Sequence, residues 1–138
     1  MLPESIELEV VTPERHVLAQ TVKWIEMPGK EGYLGILPGH APLITELGIG
    51  VLTYRNNGDT HFLTVIQGYA EVLPDRVIVL AEIAERAEEI DIARTRTALE
   101  RAKAAVAKTD VRDPEWARAT LALQRAMARL QAASRAGG

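Results

Sequence analysis

Glycine and proline crowd the front of this chain and alanine its rear, and that division limits most sharply what the chain can become. Eight of the ten glycines and six of the seven prolines lie in residues 1–90, whereas residues 91–138 hold fourteen alanines and a single proline, Pro114. In a helix interior glycine costs about 1 kcal/mol and proline about 3 kcal/mol relative to alanine. The front therefore favours short extended segments separated by turns, and the rear favours helix. The composition changes near residues 84–90, so the expected division is a β unit over 1–86 and a helical unit over 87–138. The whole is long enough to bury one modest core.

In the front half, Ile6, Leu8 and Val10 alternate with Glu7 and Glu9, the period of a strand with one buried face. Val22 to Met27 reads as a second strand. Ile49 to Arg55 and Thr60 to Ile66 flank Asn56-Asn57-Gly58-Asp59, where Asn and Gly tolerate positive φ, so this pair is the clearest hairpin. Gly68 to Leu73 and Arg76 to Glu82 form another, turned at Pro74-Asp75. Two prolines and a glycine in Leu37-Pro38-Gly39-His40-Ala41-Pro42-Leu43 exclude helix there and hold His40 in a loop. Short strands separated by such turns point to a β-sandwich or flattened barrel.

The rear reads as two antiparallel helices, giving an α+β chain in two parts. Helix one is expected over about Asp91 to Ala107. Helix two begins at Asp113-Pro114-Glu115, an N-cap acceptor followed by a proline and an acid at the positive dipole end, and runs to about Ser134. Trp116, Thr120, Leu123, Met127 and Leu130 recur at spacings of four and three, so a narrow stripe should face Ala98, Leu99, Ala102, Ala105 and Val106 of helix one. Alanine buries little area, and at roughly 25 cal/mol per Å² such a seam stabilises the hairpin by only a few kcal/mol. The hairpin is expected to be able to open or detach.

Charge divides at the same place. The front carries 6 Lys+Arg against 14 Asp+Glu and the rear 10 against 5, so a total of −3 conceals a basic tail. Arg118, Arg125, Arg129 and Arg135 follow Glu115 with no later acid, so the counter-charge of the last three comes from outside their own helix. Arg118, Arg125 and Arg129 fall on nearly one face, which is either a solvated basic face or a site for phosphate or an acidic protein loop. Asp91 and Arg94 stand three residues apart at the start of helix one, where an aspartate commonly serves as a cap.

The sequence offers little for catalysis. Serine occurs only at Ser5 and Ser134, there is no cysteine, and His16, His40 and His61 lack metal-ligand spacing. Gly29-Lys30 is followed by Glu31 where a phosphate loop needs Ser or Thr. Gly32, Gly35 and Gly39 suit tight turns. The acidic total and the few aromatics near the tail arginines argue against nucleic acid. With no run of 18 apolar residues, and with Met1-Leu2-Pro3-Glu4 at the start, the chain is expected to be soluble and not exported.

The segment from Glu31 to Leu43 closely resembles the loop and strand of the epsilon subunit of the F-type ATP synthase. Val10-Val11-Thr12-Pro13, Gly68-Tyr69-Ala70-Glu71-Val72 and Ala84-Glu85-Arg86-Ala87 extend the likeness in order along the chain. In the bacterial family many hairpins carry Ile/Leu-Asp-x-x-Arg-Ala on helix one with two arginines on helix two. Ile90, Asp91 and Arg94 match the first element, with Thr95 at the alanine position, and Arg125 and Arg129 match the second.

The resemblance implies a non-catalytic rotor element whose sandwich sits on the gamma subunit and the c-subunit ring, with Glu31 and His40 as ring contacts. It implies no required cofactor but a regulatory ATP, with Asp91 beside Ile90 holding the base or ribose end and Arg94, Arg125 and Arg129 gathered around the phosphates. It further implies a brake on hydrolysis, in which Arg118, Arg125 and Arg129 meet acidic surface on the alpha and beta subunits. The location would be peripheral, at the cytoplasmic face of a bacterial membrane, with no nucleic-acid partner. A stand-alone ATP-sensing module, a protein or nucleic-acid adaptor, and a small enzyme remain as alternatives from other classes.

Overall fold

A computed structural model describes residues 2–137. Seven strands come first: β1 (Ile6–Val11), β2 (His16–Val22), β3 (Trp24–Gly29), β4 (Gly32–Ile36), β5 (Leu43–Asn56), β6 (Asp59–Leu73) and β7 (Arg76–Arg86). A 3-10 turn, Ala87–Glu89, leads to α1 (Ile92–Lys108) and α2 (Pro114–Gly137). The chain is thus a β-sandwich followed by a helical hairpin. The strands form one continuous sheet in the order β2-β1-β7-β6-β5-β3-β4, antiparallel except for the β1–β7 pair. The sheet folds over on itself, and Asn56 Nδ2 near the end of β5 donates to Gln20 Oε1 of β2 at 3.1 Å. Every strand contributes to one main core, in which Ile6, Leu8 and Val10 of β1 meet Ile25, Met27, Ile36, Leu52, Leu63 and Val79.

The alternation in β1 places its apolar residues inward, as its period requires. At the β5–β6 turn Asn57 (φ 49°) and Gly58 (φ 86°) form a two-residue loop closed by the Asn56–Asp59 pair, the geometry that matches strand twist. Two strand expectations differ from the structure. Val22 to Met27 is not one strand, because the chain leaves β2 at Val22, turns at Lys23 and re-enters as β3. Thr60 to Ile66 and Gly68 to Leu73 are one strand, β6, kinked at Gln67 (φ 53°) and Gly68 (φ 133°). The kink changes which residues face inward: Leu63 and Val65 before it, Ala70 and Val72 after it.

The helices start and stop as their caps dictate. Asp91 accepts from the Arg94 backbone N–H at 3.0 Å, and Asp113 accepts from that of Glu115 at 2.9 Å. The seam follows the expected stripe at Trp116, Thr120, Leu123 and Leu130, which are half-buried, and departs from it at two positions. Met127 is 55% exposed and Ala98 is exposed, while α2 buries Ala119, Ala126, Ala128 and Ala132. The reason is that α2 serves two neighbours, α1 on one side and the outer face of β5 and β6 on the other. Ala132 packs on Val51 and Ala87, with Phe62 and Ile90 at the margin. Small side chains let the helix approach both surfaces, and the larger ones are displaced to the edges. Among the described residues no helix is long and apolar enough to cross a membrane.

Candidate functional site

The connector from β7 into α1 runs beside the two helices, and a cavity of about 470 Å³ opens where the three meet. Ile90, Asp91, Arg94, Arg125 and Arg129 all line it, brought together from the connector, the first turn of α1 and the middle of α2. The carboxylate of Asp91 caps α1 and forms no ion pair with the Arg94 side chain. Thr95 is buried, and its hydroxyl donates to the Asp91 carbonyl at 2.7 Å, which holds it against the helix backbone. Arg94 and Arg125 have no carboxylate partner among the described residues. Arg118 does not reach the cavity; it points to solvent and pairs with Glu115 at 2.7 Å.

Two carboxylates in this cavity were not singled out from the sequence. Glu85 of β7 accepts from Arg129 Nε at 2.6 Å, and this partner, 44 positions away, supplies the counter-charge that the helix lacks. Glu89 pairs with Arg15 of the β1–β2 turn at 2.8 Å and also accepts from the Arg86 backbone N–H at 3.1 Å. Arg15 reaches the Ala84 carbonyl as well, at 3.2 Å, so the connector is gripped from the sandwich side. The hydrogen bond between them holds the Glu89 carboxyl below its ordinary pKa and the Arg15 guanidinium above its own. No local spacing announces either pair. The one sequence signal was the missing counter-charge on α2.

This shift has a pH consequence. A carboxyl depressed by folding contributes stability that is complete above its unfolded value, near 4.5, and is lost as pH falls through the folded value. The thermal midpoint of the protein should therefore exceed that of Glu89→Gln at pH 7, and the difference should shrink progressively below about pH 4.5. A midpoint difference that is constant between pH 7 and pH 3 would show that the pair contributes nothing.

Glu31 and His40 lie elsewhere. Glu31 is exposed in the turn between β3 and β4, beside Leu43, Ile44 and Thr45. His40 follows Gly39, whose N–H donates to the Pro74 carbonyl at 2.7 Å, and the His40 ring Nδ1 lies 2.7 Å from the Ala41 carbonyl. Exposed Leu37 and Ile44 stand near these two residues, an apolar surface that the sequence reading did not single out.

A second exposed surface crosses the strands. The register sets Glu46, Tyr69, Leu80 and Val11 in one row and Ile44, Glu71, Ile78 and Glu9 in the next. Tyr69 and Leu80 are each 56% exposed, so the face is apolar with acids interleaved.

Residues 5–87 match the family model for the ATP synthase delta/epsilon chain β-sandwich domain, and residues 88–134 match that for its long α-helix domain. The chain is 45% identical over 136 residues to ATP synthase epsilon chain 2 of Syntrophotalea carbinolica, covering 99% of each. It is 53% identical over 102 residues to the ATP synthase epsilon chain of Koribacter versatilis, covering 74% of this chain and 72% of that one. In fold it resembles a chain of the OSCP/F1/c-ring structure of the Euglena gracilis mitochondrial ATP synthase, with a TM-score of 0.83 at 24% identity, over 99% of this chain and 83% of that one.

Proposed function

Since the chain belongs to the delta/epsilon chain family of ATP synthase subunits, we propose that its sandwich links the gamma subunit to the c-subunit ring and that its hairpin is a nucleotide-sensitive brake on ATP hydrolysis. The chain itself performs no catalysis and works at the cytoplasmic face of a bacterial membrane as a peripheral rotor component. Two relatives named ATP synthase epsilon chain match it over 99% of their own length.

The observation that carries the nucleotide reading is the convergence of Ile90, Asp91, Arg94, Arg125 and Arg129 on one cavity. Arg94 and Arg125, without a carboxylate partner among the described residues, are ready to take phosphate oxygens with their planar forks, while Arg129 is engaged by Glu85 and joins them by sharing or exchanging that partner. ATP held there touches both helices and the connector, so it binds the docked hairpin and not a released one. A ligand with that preference stabilises the docked form by about 2.7 kcal/mol at a hundred times its Kd.

Released, the hairpin would carry Arg118, Arg125 and Arg129 to acidic surface on the alpha and beta subunits and obstruct rotation. The acid-interleaved apolar rows around Tyr69 and Leu80 suit a gamma-subunit surface of apolar and basic side chains. Glu31 and His40, beside exposed Leu37 and Ile44, suit the ring.

The test is ATPase activity of a head made of alpha, beta and gamma subunits, with the full chain or residues 1–90 added. The main core lies within Ile6 to Ala84, so the shortened chain keeps it. Both forms should bind, and only the full chain should inhibit, with ATP relieving the inhibition. Binding of ATP without binding to the head would leave a stand-alone sensor. Equal inhibition by both forms would remove the hairpin from the brake.

A further inference from the structure

The sheet face beneath α2 carries a polar group with nothing to bond. Thr64 is fully buried and its hydroxyl has no hydrogen-bond partner among the described residues. Strand register fixes its neighbours: Thr64 stands opposite Val51 on β5 and opposite Glu85 on β7, so the three side chains form one row on one face. Ala132 of α2 packs on Val51, and Arg129 of α2 bonds Glu85 at 2.6 Å. Residues three apart lie on one helical face. The turn from Arg129 to Ala132 therefore rests on both ends of the row and covers Thr64 between them. Close by, α2 stands away from the sheet over a cavity of about 660 Å³ lined by Met127, Gln131, Gly50 and Tyr33, so the docked interface is also incompletely filled.

We propose that Thr64 is a built-in opposition to hairpin docking. Its hydroxyl gives up a hydrogen bond to water each time α2 seats and receives none in return, whereas in the released form the same face is open to solvent. Docked and released forms are thereby kept close in free energy, which leaves a modest ligand or partner able to choose between them. The inference rests on reading the hairpin as a movable element, and it names the residue that sets its balance.

The test is hydrogen exchange of the full chain without nucleotide or catalytic head, comparing the protein with Thr64→Val, which keeps the shape and removes the hydroxyl, and Thr64→Ser, which keeps the hydroxyl. Thr64→Val should slow exchange of the α2 amides about tenfold relative to the amides of Leu52 and Val79 in the sandwich core, equivalent to about 1.4 kcal/mol in the docking equilibrium. Thr64→Ser should not slow it. Unchanged α2 exchange in Thr64→Val, an equal slowing of core and α2 amides, or a slowing in Thr64→Ser would each overturn the proposal. None of these readings uses ATP or the head, so failure of the brake reading appears separately in the ATPase assay.

Discussion

Replacing Gly68 with alanine is expected to cost about 4 kcal/mol or more, a large part of the 5–15 kcal/mol that holds a domain of this size together. At φ 133° the backbone is in a region that L side chains rarely adopt. A Cβ there would also press into the Leu80 carbonyl oxygen and lie 2.8 Å from the Ala81 Cα. Both atoms belong to the backbone of β7, which is paired on its other side to β1, so neither can turn away as a side chain would. The kink that Gly68 permits lets β6 change its inward parity, and straightening it would turn Ala70 and Val72 out of the core. Gly58→Ala provides the control, because a Cβ there meets nothing and only the φ of 86° is at stake, worth about 1 kcal/mol. Thermal unfolding followed by circular dichroism should separate the two variants widely. Similar midpoints would mean that β7 can move aside.

Replacing Arg129 with alanine should act on the hairpin and spare the sandwich. The Arg129 and Glu85 side chains are 27% and 32% exposed, so removing the guanidinium leaves a partly buried carboxylate without a partner at the docking seam. Such a loss typically costs about 1–3 kcal/mol. Hydrogen exchange of α2 should accelerate by roughly tenfold to a hundredfold, with the core amides of Leu52 and Val79 unchanged. Protection of the hairpin by millimolar ATP should disappear with the same substitution, since a phosphate-facing fork is gone. Arg129→Lys should recover part of the docking through its charge but little of the nucleotide effect, because an ammonium lacks the planar pair of donors. Wild-type exchange in Arg129→Ala would show that the ion pair does not hold the hairpin. Retained ATP protection would remove Arg129 from the proposed site.

Much of this was legible in the residues themselves. The alternation in Ile6 to Val10, the Asn57-Gly58 turn and the caps at Asp91 and Asp113 each depend on neighbours within a few positions, and each took the form that its spacing required. The five residues proposed for the nucleotide could be named because a motif and two arginines recur at recognisable distances, and the fold draws them to one cavity. One position of the expected α2 stripe, Met127, falls outside the seam for a different reason. Helical period identifies a face, but Met127 and Ala128 exchange roles because the sheet, and not only α1, borders that helix.

The sequence by itself determined that the front of the chain is strand and turn and the rear helix, the order of a sandwich before a hairpin, and the poverty of catalytic groups. Those properties follow from backbone geometry and composition, which act over short stretches of chain. Only the tertiary structure decided that Arg129 finds Glu85, that Arg15 grips Glu89, that Thr64 lies unbonded beneath α2, and that β6 reverses its faces at Gly68. The contacting residues in the first two cases lie 44 and 74 positions apart. Nothing in local spacing sets which of many acids meets which arginine, because that choice depends on where a sheet curls and how closely an alanine-faced helix can approach it.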